Sequence, residues 1–311
     1  MGIENETGEL FGTLWPSLSD TQFEESIELW NKRAVVNNFD LGFIKGKKCL
    51  DAGCGSGRYS IALARNGAES VTAIDISKNG ITEAQKRAVG IPQIQFQLAS
   101  TLNLPFQESE FDFVLSAGVI HHTPDFDGAL LELFRVLKPG GKLFLLVYGT
   151  GGLRWTAIKS LRPIVSQLGI EFLDNAITLA KLPSNNRKHF LDDLFVPIQI
   201  LTGKNELIKK LNSIGITDIN FWENETYDHE SSPKDQINDL IKINKIMLSC
   251  KDVAESFTER YLSMLAIEVS TVFLNLALSA QNDEGLSSRE LRNIMIGTGN
   301  LRVIATKNSD K

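Results

Sequence analysis

Short apolar runs alternate with amphipathic stretches from residue 48 to residue 148. The runs are rich in valine, isoleucine, leucine and phenylalanine, which is typical of buried strands. The stretches between them have the three- and four-residue apolar spacing of helices. Strands that alternate with helices over short connections predict a parallel sheet covered by helices on both faces. The predicted strands are residues 48–52, 70–76, 93–98, 111–117 and 142–148, and the predicted helices are residues 21–36, 59–65, 78–89 and 127–137.

Two later apolar runs, residues 216–222 and 300–306, extend this pattern to seven strands. We assign the last run to the same sheet, so the helical stretch before it is an insertion. The predicted fold class is α/β, a doubly wound, mostly parallel seven-stranded sheet of the Rossmann-like kind with helical insertions. The predicted segments are an N-terminal helical flap (1–40), a ligand-binding core (41–150), a helical lid insertion (151–202), a core helix and strand (203–223), a helical insertion (224–299) and the last core strand with its tail (300–311).

A glycine-rich turn follows the first predicted strand directly after Asp51, with its glycines at alternate positions: Gly53, Gly55 and Gly57. Glycine lets the backbone approach a ligand where any Cβ would clash, although a tight turn without a ligand has the same composition. Asp75 ends the second strand, where a carboxylate can accept from two ribose hydroxyls. A pyrophosphate would be repelled by Asp51 and would want the spacing GxGxxG. The pattern therefore favours a cofactor with an amino or sulfonium group over a dinucleotide.

These features belong to a longer series of motifs that resembles the class I S-adenosylmethionine-dependent methyltransferases, in the branch called type 11. The glycine turn is similar to the first motif of that family, and the segment around Asp75 is similar to the second. The later motifs follow in the order and spacing of the branch. Each motif alone is weak, but the set is specific. The matching segments are residues 50–57, 71–77, 104–106, 111–114, 118–122 and 135–143.

The resemblance implies S-adenosyl-L-methionine as the cofactor. The glycine turn and the end of the fourth strand would border its methionine part, with Asp51 near the amino group. Asp75 would hold the ribose hydroxyls, and Ile76 would pack on the adenine. Ser100 stands where the family often has an acid that receives the adenine amino group, and a hydroxyl accepts more weakly than a carboxylate. The implied cofactor contacts are Asp51, Gly53, Cys54, Gly55, Asp75, Ile76, Ser100, Thr101, Leu102, Ser116 and Ala117.

The implied reaction is methyl transfer, in which the protein mainly aligns the acceptor in line and excludes water. A general base is needed only where the acceptor arrives protonated. His121 and His122 follow the fourth strand and are the candidate bases, although in the resembling family such a pair commonly shapes the loop. The first insertion adds polar groups that are candidates for contact with the acceptor, with solvated surface charge as the other interpretation. They are Arg187, His189, Asp192 and Asp193.

The amino-acid composition limits the binding partners and the cellular compartment that we expect for this protein. The 311 residues carry a net charge of −6, which disfavours nucleic acid as a partner. The three cysteines have no CxxC spacing, so we expect no disulfide framework, no metal site and a reducing, cytoplasmic location. The acidic start does not resemble a signal peptide. The apolar stretch 261–280 contains Glu268, which favours a buried helix or a homodimer through the C-terminal helices over a membrane span.

The sequence therefore predicts an S-adenosylmethionine-dependent methyltransferase that acts on an O, N or C nucleophile of a small-molecule acceptor. Two alternatives stay open. One is a non-catalytic or assembly protein that keeps the cofactor-binding fold, for which the only pointer is the hydroxyl at Ser100 in place of an acid. The other is a nucleotide-dependent oxidoreductase, against which the absence of GxGxxG counts. The acceptor is not determined by any motif.

Overall fold

The apolar runs form the strands of a mixed sheet in a computed structural model that describes residues 2–14, 19–182, 184–224, 226–227 and 232–308. The strands are β1 Lys48–Ala52, β2 Ser70–Asp75, β3 Ile94–Leu98, β4 Phe111–Ala117, β5 Leu137–Tyr148, β6 Asp218–Phe221 and β7 Asn300–Thr306. They lie in the order β3-β2-β1-β4-β5-β7-β6. The pairs from β3 to β5 are parallel, and β7 is antiparallel to β5 and β6. The predicted fold class, with a mostly parallel seven-stranded sheet, is confirmed.

Helices connect the strands and fill the insertions. The helices of the described residues are α1 Ile3–Leu14, α2 Asp20–Val36, α3 Arg58–Arg65, α4 Lys78–Arg87, α5 Phe126–Val136, α6 Leu153–Leu168, α7 Ile170–Leu179, α8 Ser184–Phe195, α9 Lys204–Ser213, α10 Pro233–Val253, α11 Phe257–Gln281 and α12 Ser288–Ile296. Several begin where the sequence offers a capping side chain. Ser77 accepts from the Gly80 amide at the start of α4, and Ser287 forms a capping box with Glu290 at the start of α12.

Both faces of the sheet are buried, because successive side chains of a strand point to opposite sides. In β1, Cys49 belongs to one hydrophobic core and Leu50 to the other. In β4, Phe113 and Val114 divide in the same way. Side chains of α2, α3 and α4 complete the first core, and side chains of α5 and α9 complete the second. This double covering leaves the carboxyl ends of the parallel strands as the place where polar side chains collect.

The N-terminal segment forms two helices where we predicted one. The prediction over residues 21–36 corresponds to α2, which begins with a capping box between Ser19 and Gln22. The helix α1 was not predicted, because its glycine, asparagine and threonine residues have low helix propensity. Residues 15–18 of the predicted flap and residues 309–311 of the predicted tail lie outside the described residues.

The fifth strand begins earlier than predicted. We expected a turn over residues 138–141 and a strand from residue 142, whereas β5 begins at Leu137. Its register against β4 is irregular near this start. The Gly140 amide donates to the Lys307 carbonyl at 2.8 Å, which holds the stretch extended. Proline and glycine therefore disturb the ladder here without ending the strand.

The chain divides into two compact units. The sheet unit consists of Met1–Gly149, Pro197–Tyr227 and Asn300–Lys311, and the helical unit consists of Thr150–Val196 and Asp228–Gly299. The described helices of the helical unit are α6, α7, α8, α10, α11 and α12. The assignment of residues 1–40 as a flap and of residues 151–202 as a lid stays a prediction.

Among the described residues, α11 is the helix that is long and apolar enough to cross a membrane, judged by length and composition alone. Its mean hydropathy over the most apolar window is 1.7, and 28% of that window is buried. Large apolar side chains are exposed along it: Phe257, Tyr261, Met264, Val272 and Leu276. The expectation that this helix is buried or forms a dimer rather than spanning a membrane stays a prediction.

Candidate functional site

The candidate site lies along the carboxyl ends of neighbouring parallel strands in the sheet unit. Ser100 follows β3, Asp75 ends β2, and Asp51 lies next to the last residue of β1. The pair His121 and His122 follows β4 in a short 3-10 turn. Because parallel strands present these ends at one edge of the sheet, the structure brings most of the predicted residues together. Ligands of such sheets bind at this edge.

The glycine turn after β1 requires glycine at Gly53, whose φ is +90°. A Cβ at this position would lie 2.6 Å from Cγ1 of Val119, so a larger residue would displace the loop after β4. The amides of Gly53 and Cys54 both donate to the Ile74 carbonyl at 2.8 Å, which ties the turn to the end of β2. The turn is therefore held in place at the end of β1, with the Gly53 backbone packed closely against Val119.

Asp51 is fully buried beside this turn. Its Oδ2 accepts from the Ser60 hydroxyl of α3 at 2.6 Å, whereas Oδ1 has no hydrogen-bond partner among the described residues. Burial raises the pKa of the Asp51 carboxyl to about 7; the Ser60 hydrogen bond and Arg58 lower it, and the Asp75 charge raises it. A carboxylate with an open oxygen at the strand end fits the ammonium group of an amino-acid ligand, which would lower this pKa again.

Asp75 joins the end of β2 to the glycine turn. Its Oδ2 accepts from the Gly55 amide at 2.7 Å, and its Oδ1 accepts from the Ser77 amide at 2.7 Å. Burial raises the pKa of Asp75, and these amide hydrogen bonds partly oppose the shift. Each carboxylate oxygen has a second lone pair, so both can also accept from adjacent hydroxyls of a ribose. The arrangement fits the role that the sequence motifs imply.

Three other predicted residues line the same edge without carrying chemistry of their own. Cys54 is buried, and burial together with the charges of Asp51 and Asp75 raises the pKa of its thiol well above the usual value. The thiol therefore stays protonated and is not a nucleophile. The Ser116 hydroxyl donates to the Ala52 carbonyl at 3.0 Å and joins β4 to β1. Ala117 is half-buried at the end of β4.

The segment after β3 meets the N-terminal helix. The Ser100 hydroxyl donates to the Glu4 carboxylate of α1 and accepts from the Leu102 amide at 3.0 Å. Thr101 is buried, and Leu102 packs against the core that α5 and α9 complete. Ile76, the residue implied for adenine packing, is half-buried at the end of β2. The carboxylate missing from the motif at Ser100 is thus present in space, supplied from 96 positions earlier in the chain.

His121 is fully buried, and neither ring nitrogen has a hydrogen-bond partner among the described residues. Its ring lies 4.1 Å from that of His122 and 4.2 Å from that of Tyr148, measured between centroids. Burial and the neighbouring His122 lower the pKa of His121 well below its usual value, so the ring is neutral at physiological pH. A neutral buried imidazole keeps one lone pair that can accept a proton or a hydrogen bond.

His122 is buried beside it, and its ring orientation is set by the main chain. Its Nδ1 lies 2.8 Å from the carbonyl of Ile198, an atom that only accepts, so Nδ1 carries a proton and donates it to this carbonyl. The ring of Phe11 from α1 lies 5.0 Å from the His122 ring. The two histidines therefore share an aromatic enclosure with Tyr148, which ends β5.

The polar residues predicted from the first insertion do not form one cluster. Arg187 forms an ion pair with Asp174. Asp193 pairs with Arg154 at 2.5 Å inside the helical unit. Asp192 is buried, its Oδ1 has no hydrogen-bond partner among the described residues, and burial and the charge of Asp193 raise its pKa well above the usual value.

Within the described part of the chain, no group of three or more His, Cys, Asp or Glu side chains could hold a metal ion.

Sequence reasoning missed three residues of the strand-end edge. Tyr148 could have been found, because it ends a predicted strand. Ser60 and Glu4 carry no local signal, since each meets the site only through the packing of a helix.

Residues 50–145 match the family model of the type 11 methyltransferases, which is described as a methyltransferase domain. Demethylmenaquinone methyltransferases of Staphylococcus aureus, from strains MRSA252 and JH9, are each 34% identical over 124 residues, 39% of this chain and 50% of the relative. The chain thus aligns with half the length of these relatives. The crystal structure of the (4+2)-cyclase SpnF has the same fold, with a TM-score of 0.51 and 17% identity over 91% of this chain and 81% of that chain.

Residues 50–145 are therefore a class I S-adenosylmethionine-dependent methyltransferase domain of the type 11 branch, and the resemblance of the motifs is confirmed. S-adenosylmethionine is the cofactor of this class. The geometry of the edge fits it: an unpaired carboxylate oxygen at Asp51, a glycine turn with open space where a Cβ of Gly55 would lie, and a second carboxylate at Asp75. The likeness to SpnF supports the fold and leaves the reaction open.

Proposed function

We propose that this protein transfers the methyl group of S-adenosylmethionine to an O, N or C nucleophile of a small molecule by in-line displacement. The observation that carries the proposal is the open Oδ1 of the fully buried Asp51 beside the glycine turn. A buried acceptor without a partner costs about 1–3 kcal/mol, which a cationic amino group of the cofactor would offset. A phosphate in the same place would be repelled, which disfavours the oxidoreductase alternative.

In this proposal, residues of the strand-end edge bind and orient the cofactor. The Asp51 carboxylate holds the amino group, and the backbone of Gly53, Cys54 and Gly55 borders the methionine part. Asp75 accepts from the ribose hydroxyls. The bound cofactor supplies an already activated methyl group, so the protein's remaining tasks are to position the acceptor and to exclude water. The enclosure of His121, His122 and Tyr148 at the ends of β4 and β5 suits both tasks.

His121 is the better of the two candidate bases. Its ring is neutral and fully buried, and neither ring nitrogen has a hydrogen-bond partner among the described residues. Because its pKa is lowered, it accepts a proton most readily from an acidic acceptor, such as an enol or a phenol-like hydroxyl. For an acceptor that arrives as a free amine or a carbanion, the same ring would serve as a wall of the pocket.

The acceptor class rests on the relatives and on charge. The Staphylococcus aureus relatives are named for a small molecule, demethylmenaquinone, but they match this chain over half of their length. We therefore carry over a small-molecule acceptor and not its identity. A net charge of −6 disfavours nucleic acid. A cytoplasmic location and a homodimer through the C-terminal helices are part of the same proposal.

Calorimetry with S-adenosylmethionine and S-adenosylhomocysteine tests cofactor binding by the full chain. We expect micromolar binding of both, and NADH serves as the negative control. Transfer of a labelled methyl group from S-adenosylmethionine into fractionated cell extract tests the reaction, with label expected in the small-molecule fraction. Absence of cofactor binding at millimolar concentration would contradict the proposal. Binding without label transfer to any fraction would favour the non-catalytic alternative.

A further inference from the structure

One face of α1 lies against the strand-end edge. Glu4, Gly8 and Gly12 are spaced four residues apart, so they share this face of the helix. A Cβ at Gly8 would lie 2.7 Å from Cγ2 of Ile76, and a Cβ at Gly12 would collide with the Ser77 hydroxyl. The two glycines therefore let α1 approach the end of β2 more closely than any other residue would allow.

The contacts of α1 extend on both sides of β2. Towards β3, the Glu4 carboxylate accepts from the Ser100 hydroxyl. Towards β4, the Phe11 ring lies 5.0 Å from the His122 ring. The helix thus crosses the ends of the strands that carry the implied cofactor contacts. Among the described residues, Glu4 is the residue of α1 whose carboxylate forms a hydrogen bond at this edge.

The strand order sets where each part of the cofactor would lie. S-adenosylmethionine is a linear arrangement of methionine, ribose and adenine. The glycine turn and Asp51 lie at β1, Asp75 lies at the neighbouring β2, and Ser100 lies at β3, which is next in the sheet. If Asp51 at β1 held the amino acid and Asp75 at β2 held the ribose, the base would lie at the end of β3. The pair of Glu4 and Ser100 is found at this end.

We propose that Glu4 of α1 is the residue that recognises the exocyclic amino group of the cofactor's adenine. This inference rests on the proposed function and adds the recognition of the base to it. A carboxylate that accepts from the Ser100 hydroxyl has lone pairs left for a donor on the ligand. The amino group is the one strong donor on the exposed edge of adenine. The Ser100 hydroxyl, which accepts from the Leu102 amide, holds the carboxylate in place.

A second interpretation is that Glu4 has only a structural role and anchors α1 to the segment after β3 through the hydrogen bond with Ser100. A pair of ligands separates the two roles. The first ligand is S-adenosylhomocysteine, and the second is its analogue with hydrogen in place of the adenine amino group. If Glu4 binds the amino group, the unmodified protein prefers the first ligand by about tenfold or more, as expected for a hydrogen bond to a charged acceptor.

Calorimetry with both ligands on the full chain tests the proposal. In Glu4→Ala we expect the preference to fall to within about threefold, and in Glu4→Gln to an intermediate value, because a neutral amide oxygen accepts more weakly. The matched control is Glu9→Ala, an exposed glutamate of the same helix, which should keep the full preference. Circular dichroism checks that α1 and the fold persist in each variant.

The outcomes of these titrations distinguish an error in the role of Glu4 from an error in the proposed function. A Glu4→Ala variant that loses affinity for both ligands equally would overturn the inference and leave Glu4 as a fastening residue. A preference that is unchanged in Glu4→Ala would also overturn it and place the amino group elsewhere. An unmodified protein that binds neither ligand would contradict the proposed function itself.

Discussion

In the sheet unit, three fully buried polar side chains keep atoms without a hydrogen-bond partner among the described residues. They are Asp51 through Oδ1, His121 through both ring nitrogens and Thr202, beside the end of β5, through Oγ1. In the helical unit, the largely buried Arg154 is held by two carboxylates, with Asp193 at 2.5 Å and Asp239 at 3.0 Å. Buried polar groups at the strand ends of the sheet unit thus keep atoms without a hydrogen-bond partner, whereas Arg154, Asp193 and Asp239 of the helical unit pair with one another.

The difference between unpaired and paired buried polar groups distinguishes a ligand-binding site from a structural contact. An open buried polar atom is costly, so its presence beside a glycine turn indicates a site that a ligand completes. A buried ion pair between helices indicates a structural contact, since its charges already satisfy each other. Asp192 and Ser263 are exceptions in the helical unit, because Asp192 Oδ1 and Ser263 Oγ have no hydrogen-bond partner among the described residues. The position of an unpaired buried group beside the glycine turn and the strand ends, rather than its burial or charge alone, therefore marks the candidate site.

The largest effect should come from breaking the ion pairs of Arg154. Arg154→Met leaves the buried Asp193 carboxylate without its ion-pair partner and Asp239 with Lys242 alone. We therefore expect the free energy of unfolding to fall by about 3–5 kcal/mol. Denaturant titration measures this, and Arg187→Met is the control, since it removes a more exposed pair and should cost less than about 1 kcal/mol. Affinity for S-adenosylhomocysteine should stay within about twofold in both variants. A large loss of affinity in Arg154→Met, but not in Arg187→Met, would contradict the view that the Arg154 ion pairs are only structural contacts.

The next effect is the pH dependence that Asp51 introduces. Its pKa is about 7 in the fold and near 3.8 in the unfolded chain, so the folded state holds the proton more tightly. This contribution to stability is fully present below about pH 4 and is lost as the pH rises to about 7, at up to roughly 1.4 kcal/mol per pH unit. In Asp51→Asn the side chain does not titrate. The variant should therefore gain stability relative to the unmodified protein by a few kcal/mol between pH 4 and pH 8.

Unfolding titrations of both proteins across this pH range provide the measurement. Taking the difference between the two proteins cancels the titration of all other groups. A difference that stays flat from pH 4 to pH 8 would mean that Asp51 is ionised at little cost. The same variant should bind S-adenosylhomocysteine more weakly, because it lacks the carboxylate for the amino group.

Asp75→Ala should weaken binding of S-adenosylhomocysteine by roughly 1–3 kcal/mol, through the loss of hydrogen bonds to the ribose hydroxyls. Calorimetry gives the affinity, and Asp127→Ala is the control, because Asp127 pairs with Lys210 on the surface of the same unit. An Asp75→Ala affinity equal to that of the unmodified protein would show that the ribose is held elsewhere.

The smallest effect is expected for Asp192→Asn. The raised pKa of Asp192 favours its protonated form, which asparagine imitates, so the free energy of unfolding at pH 5 should change by less than about 1 kcal/mol. Affinity for S-adenosylhomocysteine should be unchanged. Loss of methyl transfer in this stable variant would sharpen the comparison, because it would identify one open group of the helical unit as part of the function.

Local sequence was sufficient for the strand-end residues of the core. Asp51 and the glycine turn are contiguous, and Asp75 is recognised by its position at the end of an apolar run. These signals are local because a strand, its turn and its helix are neighbours in the chain. The start of β5 was missed, because proline and glycine normally end a strand, and here the Gly140 amide is held by Lys307 from the far end of the chain.

The sequence by itself determined the α/β fold, the family and the cofactor class, because alternating strands and helices and their turn motifs are set by neighbouring residues. Only the tertiary structure decided which buried polar atoms lack a hydrogen-bond partner and which pair with one another. The open oxygen of Asp51 and the meeting of Glu4 with Ser100 depend on how helices pack on the sheet. Such contacts join residues that are distant in the chain, so no local pattern encodes them.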